Sequence, residues 1–260
     1  MSHPRTLSVR ALRSALLSSV LLAAPALAEE THWGYAQTVD PEHWGEVAGG
    51  ALCSTGVQQS PVALSTSGAT HTNVQAPSFH YGTSQVRMVN NGHTVQFNYD
   101  VGSTLRLGNQ EYKLAQFHFH TPSEHTQNGV HYPLEVHLVH TDAAGTPRVV
   151  VGVLIEEGLV NAALFTAFRH LPRHEGETST PVGALINASA LLPFNRAFFH
   201  YAGSLTTPPC SEGLQWFVMK NPIHLSDSQI AAFERLPHLN PNNRPVQPLN
   251  GRDVGLQSAH

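Results

Sequence analysis

The chain has 260 residues, 41% of them hydrophobic and only 12% charged, with a formal net charge of −4. Beyond its first residues it carries no basic patch, which excludes nucleic acid and anionic membrane surfaces as natural partners. Histidine is the outlier, at 18 against 14 Lys and Arg together, and it is spread along the chain instead of gathered into a loose metal-buffering tract.

The amino terminus is organised as a secretory leader. Arg5, Arg10 and Arg13 form a basic head, residues 15–24 are mostly apolar, and Ala26-Leu27-Ala28 supplies small residues for cleavage. The apolar run is shorter than the roughly 20 residues a helix needs to span a bilayer. Residues 1–28 are therefore read as a signal peptide and 29–260 as the mature domain, with no membrane association after cleavage and a periplasmic or secreted location. Without the leader arginines the formal charge is −7. Two cysteines are present, Cys53 and Cys210. Export makes a single disulfide the natural expectation, with two buried thiols as the alternative.

Apolar/polar alternation recurs at 93–99, 113–120, 134–140 and 148–154, and Pro and Gly punctuate at short intervals. This predicts a mainly β single domain with few short helices. One helix is expected over 159–170. Segment 172–181, rich in Gly, Thr, Ser, Glu and Pro, reads as a surface loop. A second helix is expected over 226–236, capped by Ser226 or Asp227, with Ile230 and Phe233 on one face and Pro237 as a stop.

The chemistry concentrates in two of the alternating segments. In 113–120, Gln116, His118 and His120 share one strand face, and Ala115, Phe117 and Phe119 share the other. In 134–140, Glu135, His137 and Val139 share a face. If the two strands pair, His118, His120 and His137 can hold one ion through three nitrogens and leave a fourth position open, the arrangement of a catalytic zinc. A ligating imidazole gives its other N–H to an acceptor, which assigns Gln116 to His118 and Glu135 to His137.

Gln116-Phe117-His118-Phe119-His120, Ser123-Glu124-His125, Glu135-Val136-His137 and Tyr201-Ala202-Gly203-Ser204-Leu205-Thr206-Thr207-Pro208-Pro209-Cys210 together closely resemble the α-carbonic anhydrases. Trp33-Gly34-Tyr35, Gln59-Ser60-Pro61, Asn90-Asn91-Gly92-His93 and Arg244-Pro245-Val246-Gln247 extend the likeness over nearly the whole mature chain. The resemblance implies a large, mostly antiparallel, twisted β-sheet, one Zn2+ per chain, and reversible hydration of CO2 to bicarbonate by zinc-bound hydroxide. It implies that Thr206 donates to Glu124 and accepts from the hydroxide, that Thr207 lines the bicarbonate site, and that Val150, Leu205 and Trp216 join Val139 in a CO2 pocket. It implies His93 as proton shuttle, with Tyr35, Asn91 and Gln96 holding the water path. On an ideal strand His93 and Gln96 face opposite sides, so a bulge or turn at Gly92 is required. It pairs with the expectation of a Cys53–Cys210 bridge bracing the Thr206 loop, and makes a homodimer a candidate assembly. A catalytically silent binding protein of the same fold and a periplasmic zinc buffer are the competing readings.

Overall fold

The computed structural model describes residues 33–36, 39–72 and 74–259, together with Met1. The anticipated leader, apart from Met1, lies outside the described residues. No described helix is long and apolar enough to cross a membrane.

Short strands come first: β1 (Ala63–Leu64), β2 (Thr70–His71), β3 (Ser78–His80), β4 (Thr83–Gln85), β5 (Met88–Asn90), β6 (Val95–Asn98) and β7 (Thr104–Leu107). The long β8 (Gln110–His120) is followed by β9 (Thr126–Gln127), β10 (Leu134–Thr141) and β11 (Pro147–Glu157). The last group is β12 (Thr178–Ser179), β13 (Leu185–Asn187), β14 (Phe198–Ser204), β15 (Glu212–Leu225) and β16 (Gly255–Gln257). The main sheet runs in the order β12-β5-β6-β8-β10-β11-β15-β14-β16-β2, with β7 pairing β8 and β3 pairing β7. Its pairs are antiparallel except β11 with β15 and β16 with β2.

The centre of this sheet is covered on both faces. Leu134, Val136 and Leu138 of β10 enter one core with Phe117, Phe119, Val149, Val151 and Phe217. Val139 and Val150 enter a second core, with Phe199, Tyr201, Trp216 and Val218. Seven of the eight β10 residues are buried as a result, so Glu135 and His137 lie inside the protein and not on a wet face.

Three local expectations are corrected. Ala115 is exposed, and Leu114 joins Phe117 in the core. The β8–β10 register shifts between Val139, paired with Gln116, and His140, paired with Leu114. This bulge reverses the faces N-terminal to Gln116 and leaves the histidine face intact. The helix expected over 159–170 shrinks to α2 (Phe165–Phe168), after α1 (Leu52–Thr55). Asn161 Oδ1 takes the Ala163 N–H at 3.1 Å, and the turn bonds Leu164 N to Asn161 O and Phe165 N to Ala162 O replace the start of a helix. Segment 172–181 is largely exposed, but its Thr178–Ser179 forms the edge strand β12 on β5.

The helix expected over 226–236 is α3 (Asp227–Glu234). Ser226 is its N-cap in a capping box with Gln229, and Ile230 and Phe233 are buried. The chain leaves the helix at Arg235, before Pro237.

Candidate metal centre and active site

Register brings the three histidines together. His137 is paired with His118, and Glu135 with His120, across β10 and β8. One ligand atom from each of His118, His120 and His137 lies within 4.8 Å of the other two. The opposite nitrogen of each ring is already engaged. His118 Nδ1–H donates to Gln116 Oε1 at 2.8 Å, and His137 Nε2–H donates to Glu135 Oε1 at 2.9 Å. His120 Nδ1–H donates to the backbone oxygen of Asn242 at 2.7 Å, and His120 Nε2 is buried with no protein partner. Three imidazoles with one nitrogen pinned and the other convergent form a donor set that fits a zinc ion.

Burial dominates the titration of these groups. It pushes His118 well below the ordinary imidazole range, reinforced by the neighbouring His120 and His137, and it lowers His120 as well. Both are therefore held neutral, as metal ligation requires. His137 departs in the other direction, because the charge and hydrogen bond of Glu135 outweigh its desolvation. Burial alone would raise Glu135, but His125 and His137 hold it well below the usual carboxylate range.

The sequence profile of the eukaryotic-type carbonic anhydrases matches residues 39–258. A carbonic anhydrase from Pectobacterium atrosepticum is 43% identical over 242 residues, covering 92% of this chain and 96% of its own length. The chain belongs to the α-carbonic anhydrase family. Among solved structures, the α-carbonic anhydrase of Thermovibrio ammonificans, in complex with the inhibitor sulfanilamide, superposes with a TM-score of 0.82 at 40% identity. That match covers 86% of this chain and 98% of the other. A hyperthermostable carbonic anhydrase from a hydrothermal vent chimney gives 0.81 at 39%, covering 87% and 100%. The chain is an enzyme of this family, whose members are zinc enzymes.

The remaining α-carbonic anhydrase positions fall around two cavities beside the histidines. One, of about 250 Å³, is lined by Val139, Val150, Leu205, Thr206, Thr207 and Trp216 with Gln116, His118, His137 and Pro147. The other, of about 110 Å³, is lined by Tyr35, Asn91, His93 and Gln96 with Trp33, Thr94, Gln116, His118, His120 and Thr207. The conflict between His93 and Gln96 resolves because β6 begins only at Val95. His93 stands in the preceding turn, where Gly92 has φ +83° and Asn91 Oδ1 accepts the N–H groups of His93 and Thr94 at 3.0 and 2.9 Å.

Glu124 is fully buried, and its Oε1 accepts the Arg244 backbone N–H at 2.8 Å. Its Oε2 has no hydrogen-bond partner, so the expected bond from Thr206 is not formed in this structure. The acceptor needed for it is present and unused. Burial, and then the charge of Glu124, push the Tyr35 phenol well above its ordinary value, which keeps it a neutral hydroxyl beside the inner cavity. Cys53 and Cys210 form a disulfide. It closes against Trp44, three residues beyond Thr207.

Several functional partners were not singled out from sequence. Asn242 anchors His120 through its carbonyl, takes Thr121 N–H on Oδ1, and reaches the His93 and Phe119 carbonyls through Nδ2. His125 donates to Glu135 Oε1 at 2.7 Å, and its other nitrogen meets the Tyr201 hydroxyl at 2.6 Å. Tyr201 continues to Ser60 at 3.0 Å. Arg244, buried over Trp44, fastens the Gln59 side chain and the Ser60 and Cys53 carbonyls. His125, Tyr201, Ser60 and Arg244 sit inside the recognised motifs, but no periodicity reveals their pairings. Asn242 lies about 120 positions from its imidazole and carries no motif signal.

Proposed function

We propose that this enzyme catalyses reversible hydration of CO2 to bicarbonate and a proton, with one Zn2+ held by His118, His120 and His137. The observation that carries this reading is the convergence of three imidazole nitrogens whose opposite nitrogens are each held by an acceptor. Bound there, zinc supplies the Lewis acidity that ionises water near neutral pH, as established for carbonic anhydrases generally.

The chain's own residues do the rest. Glu135, Gln116 and the Asn242 carbonyl fix ring orientation and keep the donor nitrogens pointed at one place. Glu124 is acceptor-only, so a Thr206 hydroxyl that donates to its Oε2 retains only acceptor capacity toward the attacking water. That directionality turns an oxygen lone pair toward the substrate. Val139, Val150, Leu205 and Trp216 give CO2 an apolar wall, and Thr207 offers a hydroxyl to bicarbonate. Tyr35, Asn91 and Gln96 hold water between the metal centre and His93, whose imidazole takes up the proton and releases it to solvent.

We further propose that residues 1–28 direct export and that the mature enzyme acts outside the cytoplasm. The Cys53–Cys210 bridge supports this reading. Nothing in the structure favours a silent binding protein or a zinc buffer. A stopped-flow pH-indicator assay with CO2, run before chelation, after chelation and after zinc return, tests the proposal. Activity that follows zinc content is expected. Full activity without metal, or stoichiometric zinc without hydration, overturns it.

A further inference from the structure

We propose that Glu175 is a positioning residue for His93, its carboxylate setting the proton affinity of the imidazole where the proton leaves for solvent. The inference rests on reading His93 as the shuttle.

The loop carrying Glu175 is fastened to the turn carrying His93. Glu177 Oε2 accepts the backbone N–H groups of Arg173 and His174 at 2.7 and 3.0 Å, which closes the loop on itself. Gly176 N–H donates to the Asn90 carbonyl at 2.8 Å, and Asn90 N–H donates to the Glu177 carbonyl at 3.0 Å. These two bonds flank Glu175 on its C-terminal side and dock it on the residue that leads into the turn. Its carboxyl carbon lies 2.8 Å, and its Oε1 2.9 Å, from where a Cβ at position 92 would stand. Gly92 thus serves twice. It takes a positive φ, and it leaves room for a carboxylate on the residue next to His93.

The surroundings give that charge a purpose. The His93 ring is stacked on Trp33, with centroids 3.5 Å apart and planes within 6°. Trp33 and Tyr35 line both the inner cavity and an outer one of about 780 Å³. The other charged or titratable groups around the turn are Tyr35, which lines both cavities, Arg173 and His174 of the same loop and His238 of the segment after α3 on the outer cavity, and His118 and His120 on the inner one. Asn91 and Asn242, which hold the turn from its other sides, are neutral. A carboxylate seated on the turn favours the imidazolium form. Glu175 is exposed, so the effect is modest and screened by salt.

The test is an NMR titration of the His93 ring in the zinc-loaded enzyme and in Glu175→Gln, Glu175→Lys and Glu175→Asp. The His93 midpoint is expected to fall by roughly 0.3–0.5 of a pH unit in E175Q and further in E175K, and to stay close to wild type in E175D. The differences shrink at high salt. The pH profile of kcat in weak buffer moves with them, and kcat/KM does not. A purely structural role would not produce a series ordered by charge. Identical His93 titrations in all four proteins overturn the proposal. Insensitivity of weak-buffer turnover to His93→Ala would instead remove the shuttle reading, leaving the titration to decide the role of Glu175.

Discussion

Strands β8 and β10 hold His118, His120 and His137 by register, with each ring pinned by an acceptor. The turn 91–94 holds His93 by two bonds to one asparagine side chain and by a stacked ring. The first region has no slack, since a shift of one residue in either strand would send a ligand into the opposite core. The second is half-buried and opens between two cavities. Metal capture needs fixed nitrogens and a proton exit needs contact with solvent, so damage to the two regions should read out differently.

The largest effect is expected from His120→Ala. It removes one of the three convergent imidazole donors. Bound zinc should fall, and CO2 hydration should drop by at least about a thousandfold, the scale of several kcal/mol of metal catalysis. Metal analysis beside stopped-flow rates checks this. Stoichiometric zinc with a wild-type rate would end the assignment.

The same strand carries a histidine with no place in the metal site, and it predicts the acid limit of the fold. Burial lowers the pKa of His140 to about 3, while its Nε2 meets the Tyr81 hydroxyl at 2.7 Å. Between about pH 6.5 and 3 the unfolded chain binds a proton at this residue that the folded chain does not, so stability rises with pH and is lost on acidification. The contribution lost by pH 3 approaches roughly 4–5 kcal/mol. Burial lowers His118 and His120 too, which adds loss in the same direction. Urea unfolding at several pH values should give a shallower acid slope for His140→Gln than for wild type. Equal slopes would show that His140 does not set the limit.

A smaller effect is expected at Gln116, whose Oε1 fixes His118. Gln116→Leu keeps all three donors and loses one orienting bond, so zinc affinity should fall about 10- to 100-fold. Asn242→Ala is the informative contrast. His120 is oriented by a backbone carbonyl, which this substitution retains, so the affinity loss should be smaller. Competition with a chelator measures both, and a larger loss at Asn242 would reverse the ranking.

The contrast between the regions also explains what the amino-acid order disclosed. His118, Gln116, Glu135 and His137 were legible because two-residue alternation is a property of one strand, and orienter and ligand sit two positions apart. Asn242 and Arg244 were not legible, because their contacts to β8 and to Glu124 close loops of about 120 residues and follow no local period. Ala115 was misplaced because a bulge depends on the partner strand. The helix over 159–170 was overextended because Asn161 bonds locally and is clasped by Gln229 of α3. The Thr206–Glu124 bond, which the structure does not form, is an expectation from family likeness alone, since neither residue carries a pattern of its own.

The smallest expected effect lies at the rim and tests the comparison most directly. His93→Ala removes the proposed proton carrier and leaves the metal donors, their acceptors and the apolar cavity in place. Turnover in weak buffer should fall about tenfold, less than the 10²–10⁴ typical of a general acid–base group, because water and small buffers still reach the inner cavity. Free imidazole should restore part of it, and kcat/KM for CO2 should stay unchanged, because the substrate step does not use this ring. Imidazole cannot repair Gln116→Leu, where the missing group holds a buried ring in position. If added imidazole leaves both variants alike, the rim and the strands are not separable parts of the machine, and the shuttle assignment fails with that distinction.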